Sequence, residues 1–183
     1  MKKIITIAGS NSQKSINKSL LYYTSSLLEN VEIVSIDLND YVLPIYGVDF
    51  EDENGIPAAT KRLSELLDNA DGFIIALAEH NGTYTAVFKN TLDWLSRVNI
   101  KIWGDKPMLL MATSPGGRGG NTVLQAAVTG FPYLGGNVVA DFSLPSFFEN
   151  FSDGGISNAV LKDELAQKLQ LFEQHLHTKQ IPT

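Results

Sequence analysis

In the stretch IAGSNSQKSIN, residues 7–17, Gly9 and short polar side chains that include Ser10, Ser12, Ser15 and Asn17 lie between an apolar run and a segment of helical period. Hydroxyls, a carboxamide and the backbone N–H groups of a helix start can hold a phosphate monoester without any arginine, because the donors face the anion and the helix dipole favours negative charge there. Gly9 supplies the tight turn. Ser and Asn are also preferred N-cap residues, so ordinary capping accounts equally well for Ser15 taken alone. Four such groups in one loop point further, to anion binding. The loop matches neither GxxxxGK[ST] nor GxGxxG, so the usual nucleoside-triphosphate and dinucleotide fingerprints are missing.

Two other loops carry unusual chemistry. AEHNGTYTAVFKNTLDW, residues 78–94, opens with Glu79, His80, Asn81 and Gly82, a turn whose backbone N–H and C=O groups suit the polar edge of a flat heterocycle. TSPGGRGGN, residues 113–121, sets four glycines around Arg118. So much missing Cβ lets a bulky planar ligand approach the backbone, and the guanidinium can meet a phosphate or carboxylate. Lys89 and Asp93, spaced i, i+4, read as a weak surface pair, and Trp94 as core or subunit contact. His80 stands alone in the loops, and His175 and His177 point to different helix faces. No metal-ligand set and no Ser-His-Asp arrangement can be defended from the spacing.

The elements that must position these loops alternate regularly. Apolar runs predict strands over residues 3–8, 32–37, 72–78, 107–113 and 137–141, and GFIIALA has the continuous apolarity of a strand buried on both faces. Between them, three-to-four-residue spacing predicts helices from Ile16, Leu20, Tyr23 and Leu27, from Ala59, Leu63, Leu66 and Ala70, over residues 85–97, and around residues 121–127. A last helix carries the stripe Leu161, Leu165, Leu169, Phe172 and Leu176. Such alternation predicts a three-layer α/β domain spanning residues 1–183, with a doubly wound, five-stranded parallel sheet in the flavodoxin-like order 2-1-3-4-5. Ligands then collect where strands end and their order reverses, which is where all three loops lie. The one long irregular piece is LPIYGVDFEDENGIP, residues 43–57, read as a loop with Glu51, Asp52 and Glu53 solvated.

Composition removes several classes of function. At 183 residues with a formal charge of −6, the chain lacks the clustered Lys and Arg of a nucleic-acid or anionic-membrane binder. It has no cysteine, so disulfides, thiolate nucleophiles and CxxC redox chemistry are absent, and any redox work falls to a cofactor. With neither a signal-peptide pattern nor an apolar run of 18 residues, a cytoplasmic location is expected. The sequons at Asn17, Asn81 and Asn150 are taken as chance.

GSNSQKSIN after the first strand, the 43–57 segment, AEHNGTYTAVFKNTLDW after the third and SPGGRGG after the fourth together resemble the NADPH-dependent FMN reductase family, which includes quinone, chromate and azo-dye reductases. The family's phosphate loop typically reads G-S-x-R-x-x-S-x-N; Gly9, Ser10, Ser15 and Asn17 match, and Ser12 replaces the arginine. Its second motif typically reads P-E-Y-N-x-S-x-P-x-x-L-K-N; Glu79, Asn81, Lys89 and Asn90 match, Thr83 replaces serine, and Ala78, His80 and Thr85 depart from it. The resemblance implies that Ser10, Ser12, Ser15, Ile16 and Asn17 surround an FMN phosphate and ribityl chain. It also implies that Glu79, His80, Asn81 and Gly82 border the isoalloxazine, with Ser114, Gly116 and Gly117 on its other side and Arg118 in the cofactor-binding set. The implied activity is electron transfer from NADPH or NADH through FMN to a quinone or similar small-molecule acceptor, in a homodimer or homotetramer, with no catalytic acid or base required. For the 2′-phosphate of NADPH, Arg118 and Lys14 are the available cations. Two rivals stay open on the same fold: a flavodoxin-like electron carrier and a flavin-free regulatory protein.

Overall fold

In the computed structural model, which describes residues 1–177, strand β1 (Lys2–Gly9) leads into helix α1 (Ile16–Ser26), and β2 (Val31–Ile36) follows. After α2 (Val48–Asn54) and α3 (Ala58–Asp68), β3 (Gly72–Leu77) feeds a small hairpin of β4 (Glu79–His80) and β5 (Thr83–Tyr84), then α4 (Ala86–Val98). Next come β6 (Pro107–Thr113), α5 (Asn121–Gly130) and β7 (Asn137–Leu144). The described chain closes with α6 (Phe147–Asn150), β8 (Phe151–Ser152), β9 (Gly155–Ile156) and α7 (Ala159–His177).

The five long strands form one parallel sheet in the order β2-β1-β3-β6-β7, the arrangement the alternation predicts. Strand periodicity sorts each apolar run onto two faces. Ile5, Ile7, Phe73, Ile75, Leu77, Leu110 and Ala112 pack against Leu63 and Leu67 of α3, Phe88, Leu92 and Leu95 of α4, and Val123, Leu124 and Ala127 of α5. Ile4, Ala8, Ile74, Ala76, Leu109 and Met111 pack on the other side against Leu20 and Leu21 of α1 and Leu165, Leu169, Phe172 and Leu176 of α7. Every residue of β3 and β6 is buried, which is why their sequences are continuously apolar rather than alternating.

Three expectations are corrected. The 43–57 segment is not all irregular: VDFEDEN coils into α2 and lies against α4, where Phe50 and Tyr46 meet the Trp94 ring edge to face. Glu51 is not solvated; both its carboxylate oxygens accept from Arg97 Nε, at 3.0 and 2.8 Å, and one accepts from the Tyr46 hydroxyl. In α3 it is Leu67, not Leu66, that faces the sheet, because helix phase is set by Leu63 and Thr60 beneath it. Trp94 is core: it is fully buried and its indole N–H donates to the Pro44 carbonyl at 2.8 Å. Lys89 and Asp93 form the i, i+4 pair.

Candidate functional site

The first loop is stitched by its own hydroxyls. Ser10 Oγ accepts from the Ser12 N–H, Ser12 Oγ from the Lys14 N–H, and Ser15 Oγ from the Lys18 N–H, the last being the N-cap of α1. A hydroxyl that accepts a backbone N–H keeps its own proton for donation. The Ser15 N–H goes to the Ser12 carbonyl. Of the four N–H groups that a helix start leaves without intrahelical partners, this accounts for two, and those of Ile16 and Asn17 remain open at the dipole's positive end. Capping and anion binding are therefore compatible here, since Ser15 serves the first and frees its neighbours for the second.

The Asn17 side chain does a different task from the one its type suggests. Its Nδ2 donates to the Thr113 carbonyl at 3.0 Å and its Oδ1 accepts the Thr113 N–H at 2.9 Å, all of it buried. Thr113 Oγ1 in turn donates to the Leu144 carbonyl. This clamp holds the start of α1 against the ends of β6 and β7. Asn17 offers a ligand its backbone N–H, while its carboxamide is committed to the scaffold.

In the second loop, Asn81 and Gly82 both take positive φ, 51° and 77°, which makes β4 and β5 a two-residue hairpin of the type that Asn-Gly favours. Thr85 caps α4 through the Phe88 N–H and donates to the Gly9 carbonyl at 2.8 Å, tying this loop to the first. Glu79 reaches across to the third loop, where its Oε2 accepts the Val123 N–H at 3.0 Å in the first turn of α5. Below the hairpin, Tyr84 stacks on Phe131, and burial pushes its phenol up to about 12.

The third loop divides its glycines by role. A Cβ on Gly116 or Gly117 would meet nothing within 4 Å, so that backbone is open to a ligand. Gly119 has φ +58°, and a Cβ there would collide with Ser143 Oγ and stand 2.9 Å from the Pro145 nitrogen. That glycine is architectural. Arg118 donates to Thr122 Oγ1 at 2.6 Å and lies 3.9 Å from Glu79 Oε1.

A cleft of about 280 Å³ opens where these loops meet, at the carboxyl ends of β1, β3 and β6. Seven of the expected residues border it: Ser10, Ser15, Ile16, Asn17, Glu79, His80 and Ser114. Ser12, Asn81, Gly82, Gly116, Gly117 and Arg118 lie in the same loops but outside its lining, and Arg118 is turned towards α5. Lys14, Ala78, Thr113, Pro115 and Phe148 complete the wall. Phe148 was not anticipated; its one signal in the sequence is an aromatic pair, Phe147-Phe148, just beyond the fifth strand. Lys18, in the first turn of α1, is paired with Asp37 at 2.7 Å, and that hydrogen bond holds the Asp37 carboxyl below its ordinary range.

The family model described as NADPH-dependent FMN reductase matches residues 2–149. A quinone reductase of Escherichia coli (strain K12) is 30% identical over 122 residues, covering 64% of this chain and 63% of that protein; the chain thus matches 63% of the length of the first curated relatives. An NADPH:quinone oxidoreductase of Arabidopsis thaliana is 27% identical over 189 residues, covering 97% and 94%. Among solved structures, a flavoenzyme NAD(P)H:(acceptor) oxidoreductase from Paracoccus denitrificans superposes with a TM-score of 0.74 at 22% identity, covering 96% of this chain and 99% of that one, a likeness of fold.

Proposed function

This chain belongs to the NADPH-dependent FMN reductase family, and we propose that it binds FMN in the cleft and passes electrons from NADPH or NADH to quinones or similar small acceptors. The observation that carries the reading is the start of α1, where the open N–H groups of Ile16 and Asn17 and the hydroxyls of Ser10 and Ser15 border one cleft. That donor set fits a phosphate monoester, and the open backbone at Gly116 and Gly117 leaves room for a planar ring system beside it.

Ser10, Ser12, Ser15, Ile16 and Asn17 would hold the phosphate and ribityl chain. Glu79, His80, Asn81 and Gly82 on one side and Ser114, Gly116 and Gly117 on the other would border the rings. Bound FMN supplies the hydride and electron chemistry that no side chain of this protein offers. The chain supplies position: the Asn17 clamp and the Thr85 tie fix the first loop against the other two, and the Glu79 bridge to Val123 fixes the distance between the walls. Arg118 acts from outside the cleft by lying against the Glu79 carboxylate. The quinone class of acceptor is supported by the relatives' activities.

A homodimer or homotetramer is part of the same reading. Val42 and Ile45, 84% and 79% exposed, line a groove of about 270 Å³ with Leu38, Tyr41 and Val87 and the polar Asn11, Asn39 and Asn90, a surface a second copy would cover. A cytoplasmic location belongs to the same reading; among the described residues no helix is long and apolar enough to cross a membrane.

The test is an absorbance spectrum of FMN-loaded protein before and after anaerobic addition of NADPH or NADH, followed by a quinone. Bleaching of the flavin band and its return with quinone is the expected result. A flavin that stays oxidised would mark an electron carrier, and a protein that takes up no FMN would be a flavin-free regulator.

A further inference from the structure

Resting on the FMN-binding reading, we propose that Phe148 and Lys14 form a second subsite at the cleft mouth, one that takes the adenosine-phosphate end of the nicotinamide dinucleotide donor. Phe147 and Phe148 are adjacent but divided in role. Phe147 is buried and stacks on Phe151, with ring centroids 4.7 Å apart and planes 18° apart, whereas Phe148 stands edge-on to Phe147 and is 72% exposed. A large apolar ring left in water at the rim of a polar cleft is a ready platform for a flat base.

The ring is held there deliberately. Ser146, just before the pair, sits in the left-handed region at φ 44°, a conformation that a non-glycine residue keeps only when its surroundings fix it. Its N–H donates to the Gly116 carbonyl and the Phe147 N–H donates to the Ser114 carbonyl, both at 3.0 Å. The turn that presents Phe148 is thus bonded to the same loop that would border the flavin.

Lys14 borders the same cleft from the first loop and has no ion-pair partner among the described residues, in contrast to Lys18. The first anion site beside it needs no cation, because hydroxyls and backbone N–H groups already supply its donors. An ammonium without an ion-pair partner and an exposed aromatic ring bordering one cleft suit a second ligand that carries both a purine and a phosphate, and the adenosine half of the donor is such a ligand.

The experiment is calorimetric titration of adenosine 2′,5′-bisphosphate, which carries no nicotinamide, into the FMN-loaded protein, alongside a fluorescence titration of FMN into the apoprotein. The bisphosphate should bind wild type with an affinity that falls as salt rises. Phe148→Ala and Lys14→Ala should each weaken it roughly tenfold, Phe148→Tyr should retain it, and in both alanine variants FMN affinity should fall by a clearly smaller factor than bisphosphate affinity does. Equal bisphosphate affinity in wild type and both alanine variants, or no binding to wild type at all, overturns the subsite. A loss confined to FMN affinity also overturns it, by giving the ring to the flavin. Failure of wild type to bind FMN is a separate result, read in the fluorescence arm, and ends the parent reading instead.

Discussion

The first and third loops perform the same task in the fold, carrying the chain from a strand end to a helix start, yet their chemistry is opposite. Loop 9–17 caps its own helix with Ser15 and leaves the N–H groups of Ile16 and Asn17 open. The third loop instead meets α5 at Gly120, an N-cap position with no side chain to cap with, and the start of that helix is served by the Glu79 carboxylate from another loop. One helix dipole is therefore free to receive an anion and the other already faces one. In the proposed FMN site the contrast favours α1 for the phosphate and the glycine loop as a wall for the rings.

The largest effect is expected where the first loop loses its clamp. Asn17→Ala strips the buried Thr113 N–H and carbonyl of their partners and should cost about 2–3 kcal/mol, lowering the thermal midpoint by roughly 5–10 °C. Calorimetry of the variant checks it; a midpoint equal to wild type would show that the clamp does not hold the site together.

A sharper cut spares the fold. Ser15→Asp preserves an N-cap, because aspartate caps as well as serine does, but places a negative charge where the phosphate should sit. FMN affinity should fall by about 2 kcal/mol, roughly 30-fold, with little change in stability. Retained affinity in a fluorescence titration would remove α1 from the phosphate site.

The third loop answers to a smaller change. Glu79→Ala removes the carboxylate from the start of α5 and should destabilise by about 1 kcal/mol in denaturant unfolding, while Glu79→Gln, which can still accept the Val123 N–H, should recover most of the loss. Identical unfolding of all three proteins would mean that the bridge between the loops carries no weight.

Smallest is the effect beneath the hairpin. Burial raises the Tyr84 phenol to about 12 in the folded protein from 10.0, so the unfolded chain gives up this proton first. Its contribution to stability is complete below about pH 10 and declines as pH rises from there towards 12. Tyr84→Phe should flatten that part of the decline in thermal midpoints measured from pH 9 to 11, and an unaltered slope would place the phenol in water.

What the sequence reveals about these two loops follows from the range of the interactions. PMLLMAT reads as a strand because burial on both faces demands continuous apolarity, and the strand occupies those seven residues. Repeated strand-helix alternation restricts the long strands to a few doubly wound orders, and β2-β1-β3-β6-β7 is one of them. The Asn-Gly dipeptide carried the hairpin in plain view, yet two-residue strands leave no periodic trace. By contrast, the Asn17 clamp spans 96 residues and the Glu79 bridge 44; both side chains look like ligand donors until their distant partners are known. Helix α2 was hidden by an acidic, proline-flanked segment whose stability comes from Trp94 and Arg97, far along the chain. Phe148 stayed invisible because an aromatic pair after a strand looks like core, and only one of the two is.

The central claim is that neutral donors at the start of α1 grip a phosphate and so choose the cofactor. Titrating the apoprotein with FMN and with riboflavin, which differ only in that phosphate, tests it most directly through quenching of flavin fluorescence. FMN should bind at least about 100-fold more tightly, an advantage of about 2.7 kcal/mol from charge-assisted bonds to the α1 donors. Equal affinity for the two would contradict the account.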